Sequence, residues 1–227
     1  AVTTAAKFSV SEIKRQYGLF HDEVLEEEQH LASTVDMQPE DEDIFDQLPP
    51  WMAVEEEKVT GAQRGTALHK VMQYLTIQPY MNAKEIRRQL AQWEAEGVMT
   101  NEETKLVYIP AILQFCQSPL GQRMANATDI RREYPFSVIF PGGGYLPDVE
   151  KGEGMLVQGV IDCLFRDDQG WVLVDYKTDR LESEEAFRQR YTVQLALYRQ
   201  AVEQMSPIVL QHSCIYSFYL QKEIVFA

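Results

Sequence analysis

The stretch "GWVLVDYKTDR", Gly170 to Arg180, decides how this sequence folds. Trp171 to Val174 make a short apolar run opened by a glycine, which reads as a buried strand. The run stops at Asp175, and Lys177 follows two positions later. A strand has a side-chain period of two, so Asp175 and Lys177 share one face, with Leu173 and Trp171 behind them. Just upstream, "MLVQGVIDCLF" reads as a second strand with Asp162 embedded in it, and "RDDQG" separates the two. If Asp167 to Gly170 form the turn, as a two-residue loop closed by 167 and 170 or a four-residue loop closed by 166 and 171, Asp162 lies directly opposite Asp175. A three-residue loop would slip the register by one and send the two acids to opposite faces.

Side chains directly across an antiparallel pair sit about 4.5–5.5 Å apart at Cβ, and like charges there are destabilising unless something offsets them. Two readings follow. One is a cross-strand salt-bridge cluster at a solvated end of the sheet. The other starts from the apolar setting of both acids, where an unpaired charge costs several kcal/mol. A divalent cation between them removes that cost, and an oxygen-rich pair of acids suits Mg²⁺ or Mn²⁺. A lysine beside such an ion suits activation of a water or stabilisation of phosphate charge.

The rest of the chain gives the hairpin its surroundings. "FSVSEIKRQY" carries a Ser-x-x-Glu capping box, Ser9 to Glu12, and reads as a short helix. "GAQRGTALHKVMQYL" from Gly61 is an amphipathic helix with Leu68, Val71, Met72 and Leu75 on one stripe. A second helix is expected over Ala83 to Glu96, a third over Glu102 to Gln117 with a kink or break at Pro110, and a short one after Pro119. "REYPFSVIF" is a strand, "PGGGYLPD" a loop, Glu182 to Gln204 a long helix, and "SCIYSFYL" and "EIVF" two closing strands. The order predicts an α/β fold with a mixed central sheet flanked by helices and a helical N-terminal part. Its expected division is a lead-in helix at 1–20, an acidic linker or arm at 21–58, and a main domain at 59–227.

The formal net charge is −14, but its placement matters more than its size. Residues 21–58 hold 14 Asp and Glu against one Lys, which leaves a net of −1 for everything else. That segment reads as a solvated arm, or as a surface that meets a basic partner or mimics a nucleic-acid backbone. The cysteines Cys116, Cys163 and Cys214 are odd in number and widely spaced, which argues against a disulfide framework, a zinc site or an iron–sulfur cluster from this chain alone. No apolar run reaches the roughly 18 residues of a membrane span, and the first residues lack the charged and apolar regions of a signal peptide. The expectation is therefore a cytoplasmic chain, with an abrupt start that fits a piece of a longer protein. No Gly-x-x-x-x-Gly-Lys loop occurs, so ATP hydrolysis is not expected in this piece.

Taken in order, His69 in "GTALHKVMQYL", Glu133 in "REYPF", Asp162 in "GVIDCLF", Asp175 and Lys177 in "VDYKT", and Gln194 with Tyr198 in "QLALY" resemble the PD-(D/E)xK nuclease superfamily. The likeness is to its RecB-like branch, and within that to the nuclease domains of the AddA components of bacterial AddAB-type helicase–nucleases. "DYKT" alone is a weak signal; the ordered set is a strong one. The resemblance implies a restriction-endonuclease-like core and a Mg²⁺-dependent DNA exonuclease, with Mn²⁺ or Ca²⁺ able to substitute in binding. It implies that His69, Asp162, Asp175 and the backbone carbonyl of Tyr176 hold the metal. Lys177 would be catalytic, Gln194 and Tyr198 would lie near the site and the DNA, and Glu133 would support the metal ligands or serve a second metal. The substrate it implies is a DNA strand, single in form, fed by helicase domains elsewhere in an ATP-dependent bacterial repair and recombination enzyme with an AddB-type partner. Arg64, Arg131, Arg132, Arg180, Arg188 and Arg190 could meet phosphates or be ordinary surface. The rival readings are an inactive scaffold or DNA-end reader of the same fold, and an acidic DNA-mimic domain acting through 21–58.

Overall fold

A computed structural model of the chain describes residues 6–10, 12–13, 60–141 and 154–226. The acidic segment 21–58, the proposed boundaries around it, and residues 142–148 of the expected loop lie outside these. The described elements are β1 (Ala6–Ser9), α1 (Gly61–Tyr74), α2 (Ala83–Ala95), α3 (Asn101–Leu106), α4 (Ile109–Gln117), α5 (Pro119–Ala125), β2 (Asp129–Pro141), β3 (Gly154–Arg166), β4 (Trp171–Lys177), α6 (Glu184–Met205), β5 (Leu210–Ser217) and β6 (Lys222–Phe226). They form the mixed sheet flanked by helices that the sequence predicts, consistent with a restriction-endonuclease-like fold.

Local chemistry sets the helix ends. Thr60 and Gln63 close a capping box at the start of α1, Asn82 caps α2, and Ser183 caps α6. The expected break in the third helix falls at Val107–Tyr108 rather than at Pro110, giving α3 and α4. Pro110 sits in the first turn of α4, where its missing N–H has no partner to lose.

"FSVSEIKRQY" is helical where its capping box predicts, with Val10, Glu12 and Ile13 in helix, but a strand that was not expected precedes the cap. The capping box is present: the Ser9 N–H donates to Glu12 at 2.6 Å, and the Glu12 N–H donates to Ser9 Oγ at 3.2 Å. The residues up to Ser9, however, form β1, which pairs in parallel with Met155–Gln158 of β3. A partner so far along the chain leaves no local signal, whereas a cap does. Beyond β1, Val10 and Ile13 are buried in the core.

The sheet has a helical layer on each face. Even-numbered residues of β4 and β5 (Val172, Val174, Tyr176, Cys214 and Tyr216) pack with α1, α2, α4 and α5. The odd-numbered Leu173 and Ile215 pack with α6. One edge of β3 is shared: β1 takes residues 155–158 and β4 takes 163–166, while β2 runs along the opposite edge. Residues 159–162 lie in the fork between β1 and β4. Gly159 belongs there because a Cβ would sit 2.7 Å from the Phe136 ring and 3.2 Å from Val10.

Candidate active site

The β3–β4 hairpin has the expected register. Arg166 faces Trp171, Leu164 faces Leu173, and Cys163 faces Val174. The turn is built by Asp167, whose N–H donates to the Gly170 carbonyl at 3.1 Å while its carboxylate accepts from the Gln169 and Gly170 amides. Arg123 of α5 locks that buried carboxylate at 2.7 Å. The turn is thus the four-residue form, and the next pair in this register is Asp162 and Asp175. The ladder ends one step before them. In its place the Tyr176 N–H donates to Asp162 Oδ2 at 2.7 Å, so a carboxylate takes the hydrogen bond that a strand carbonyl would otherwise accept.

Several elements converge on this point. From α1, His69 Nδ1 stands 3.6 Å from Asp162 Oδ2, and its imidazole meets the Tyr176 ring edge-on at 6.4 Å. From β4, Lys177 Nζ lies 3.0 Å from Asp175 Oδ2 and 5.1 Å from the Tyr191 ring centroid, over its π face. From α6, Gln194 Nε2 donates to Asp175 Oδ1 at 3.1 Å and to Tyr198 Oη at 2.8 Å. Asp175 is buried, with 1% of its surface exposed, and the Lys177 ammonium and the Gln194 amide supply polar partners to its two oxygens.

Glu133 occupies a special place. The β2–β3 ladder pairs Arg132 with Cys163 and Tyr134 with Ile161, which sets Glu133 opposite Asp162, but that one pair is missing. Glu133 has φ +47°, a left-handed backbone that costs a non-glycine residue free energy and recurs at functional sites. Three carboxyl residues on three adjacent strands, Glu133, Asp162 and Asp175, therefore follow one another across the sheet.

The electrostatics agree with this crowding. Burial alone would push Asp162 up, yet the His69 and Lys177 charges and the Tyr176 amide hold it below the usual carboxylate range. Burial would pull Lys177 down, but Asp175 in particular raises it well above an ordinary lysine, so it is an ammonium. His69, against the lowering effect of burial, is raised to about 8 by Asp162 and, more weakly, by Asp175. Glu133 is raised by burial and then by the Asp162 charge. Three carboxyl groups against one lysine and one histidine form a donor set of oxygens with an imidazole, and that set fits a divalent cation.

Direct contacts thus link the expected site residues except Glu133 into two sets, His69 with Asp162 and Tyr176, and Lys177 with Asp175, Gln194 and Tyr198. The sets are joined through β4 at 175–177 and by charge, and Glu133 by register and charge. Two features escaped the sequence reading. Tyr191 lies under Lys177, and Arg190 pairs with Asp179 at 3.8 Å. The signal for Tyr191 was available: residues 191, 194 and 198 lie three and four apart on one helical stripe. The arginines considered for phosphate contact are largely engaged within the protein. Arg131 pairs with Asp129 and stacks on Trp171, Arg132 donates to the Gln73 carbonyl, and Arg188 pairs with Glu184 and donates to the Val225 carbonyl. The cysteines are free and buried, and burial raises all three thiols, Cys116 and Cys163 to about 12. Among the described residues, no helix is long and apolar enough to cross a membrane.

Comparison with known proteins gives one family. Residues 45–224 match the family model described as the PD-(D/E)XK nuclease superfamily. The chain is 32% identical over 228 residues to the A component of the ATP-dependent helicase/nuclease of Clostridium botulinum (strain Loch Maree / Type A3), a match that covers 99% of this chain and 17% of that protein. It is 34% identical over 222 residues to the protein of the same name from Anoxybacillus flavithermus, covering 96% of this chain and 16% of that protein. The chain therefore spans about a sixth of the length of these curated relatives.

Proposed function

We propose that this chain, which belongs to the PD-(D/E)XK nuclease superfamily, is a Mg²⁺-dependent DNA exonuclease domain of a helicase–nuclease acting in double-strand-break repair and recombination. The observation that carries the proposal is the presence at the fork of the sheet of two adjoining contact sets, His69 with Asp162, and Lys177 with Asp175, Gln194 and Tyr198.

In this reading His69, Asp162, Asp175 and the carbonyl of Tyr176 hold the ion. Mg²⁺ bound there would supply Lewis-acid polarisation of the phosphodiester and a more acidic water. The other residues have roles of their own. Gln194 fixes one Asp175 oxygen and is itself oriented by Tyr198, so the carboxylate has a set direction before any ligand arrives. Lys177 remains an ammonium, which suits it to bind a phosphate oxygen and balance growing negative charge, and makes it a poor proton acceptor. Glu133, raised by burial and by Asp162, is the carboxyl of the group best suited to hold a proton near the reaction. The names of the relatives support a strand delivered by helicase domains, and we extend the proposal to a single-stranded substrate and an AddB-type partner. The division into 1–20, 21–58 and 59–227 belongs to the same proposal.

The test is cleavage of end-labelled single-stranded DNA with Mg²⁺ by the chain and by Asp175→Ala, with Ca²⁺ binding followed by calorimetry. We expect cleavage and Ca²⁺ heat to be lost together in the variant. Equal cleavage by both proteins would refute the assignment, and unchanged Ca²⁺ binding would remove Asp175 from the ligand set.

A further inference from the structure

On the sheet face covered by α1, α2, α4 and α5, away from the fork, His212 and Cys214 of β5 meet Glu223 of β6. His212 Nε2 lies 3.2 Å from Glu223 Oε1, and one ligand atom from each of the three residues falls within 4.8 Å of the other two. Two features of the strands bring this about. His212 and Cys214 are two apart and share a face, and the antiparallel pairing of Tyr216 with Glu223 places Glu223 diagonal to Cys214 on that same face. A register shift between Trp171 and Val172 leaves Gln211 as an extra residue in β5, and such bulges re-aim the residue that follows. Cys214 is fully buried, whereas the His212 and Glu223 side chains keep 18% and 25% of their surface, so the cluster opens to solvent on one side.

We propose that His212, Cys214 and Glu223 form a second metal site, for a transition ion of the Zn²⁺ class, that clasps the edge strand β6 to β5. One imidazole nitrogen, one sulfur and one carboxylate oxygen suit a borderline-soft ion and not Mg²⁺ or Ca²⁺, which take oxygen ligands. Tetrahedral geometry with bonds of about 2.0–2.3 Å sets ligand atoms roughly 3.3–3.6 Å apart. The His212–Glu223 spacing is already near that range, and Cys214 Sγ, which donates to the Leu173 carbonyl at 3.5 Å, lies within 4.8 Å of both and would close in on the ion. A thiolate and a carboxylate balance the ion's two charges, which leaves Arg123 of α5, held by Asp167 and Gln211, as a neighbour and not a competitor. The fourth position is left to water. The site is independent of the nuclease reading, because none of its ligands belongs to the fork.

Addition of Co²⁺ to the purified chain reports on the sulfur directly. Binding through Cys214 produces a thiolate-to-cobalt charge-transfer absorption, which the oxygen and nitrogen donors of the fork cannot give. We expect that band in the wild type and in Asp162→Ala, and its loss in Cys214→Ser. Should Cys214→Ser fail to fold, His212→Gln and Glu223→Gln, at partly exposed positions, serve instead. Each should weaken Zn²⁺ binding by at least about 100-fold, beyond the 10–100-fold typical of losing an outer-shell partner. Absence of the band in folded wild type, or a band and Zn²⁺ affinity unchanged in these variants, would overturn the proposal.

Discussion

At the scale of single residues, the fork is a balance between opposite charges held in a partly dry place, and two predictions test that balance. Lys177 is the only lysine in the group, ion-paired to a buried acid. Replacing it with Met should lower cleavage on the order of 10²–10³-fold, the usual cost of losing one charge-stabilising donor. Ca²⁺ binding should persist or tighten, because Asp175 loses the cation that competes for it; a parallel loss of Ca²⁺ binding would mean that the lysine supports the fold of the site instead. His69 gives the pH prediction. Its proton affinity is raised from 6.5 to about 8 in the folded chain, so the protonated pair with Asp162 contributes fully below pH 6.5 and is lost as pH rises through 8. The side chain keeps 30% of its surface, and solvent screening reduces the contribution to about 1 kcal/mol. Melting of metal-free protein should accordingly fall between about pH 6.5 and 8.5 in the wild type and stay flat in His69→Gln, apart from slopes common to both.

At the scale of elements, the hairpin was readable in the sequence because its information is local. A glycine, an aspartate able to accept from two amides, and two strands of matching polarity define the register, and Asp162 and Asp175 follow from it. Asp167→Ala removes both the turn bonds and the buried Arg123 contact. It should cost about 2–3 kcal/mol, as for a charge-assisted hydrogen bond lost from the interior, in a denaturant titration. Activity per folded molecule should survive at low temperature, since Asp167 does not touch the fork. What could not be read is what depends on distant partners. The parallel pairing of β1 with β3, the left-handed backbone at Glu133 where a single rung is missing, and the bulge at Gln211 all arise from strands brought together across the fold. The cysteine spacing argues against a zinc site when judged by cysteines alone; His212 and Cys214 share a strand face, and Glu223 joins them only through the β5–β6 register.

At the scale of the whole molecule, charge is distributed unevenly in sequence. Residues 21–58 carry a net of −13, and the remainder −1. Free DNA should therefore bind the chain weakly, and deleting 21–58 should raise its affinity for a single-stranded oligonucleotide, more at low salt than at high salt. Fluorescence anisotropy at two ionic strengths would check this; no change at low salt would show that the acidic residues do not face the DNA. The same segment separates β1 from the rest of the sheet in sequence, and yet β1 lies beside β3 at the fork, with Val10 and Ile13 in the core. A protease site engineered into 21–58 would then yield two chains joined by the parallel ladder and by the apolar contacts of Val10 and Ile13. The protein is, in that sense, already organised for fragment complementation: a short N-terminal peptide would be the missing piece of a split domain, and supplying it would restore the strand beside Met155–Gln158 on one side of the fork.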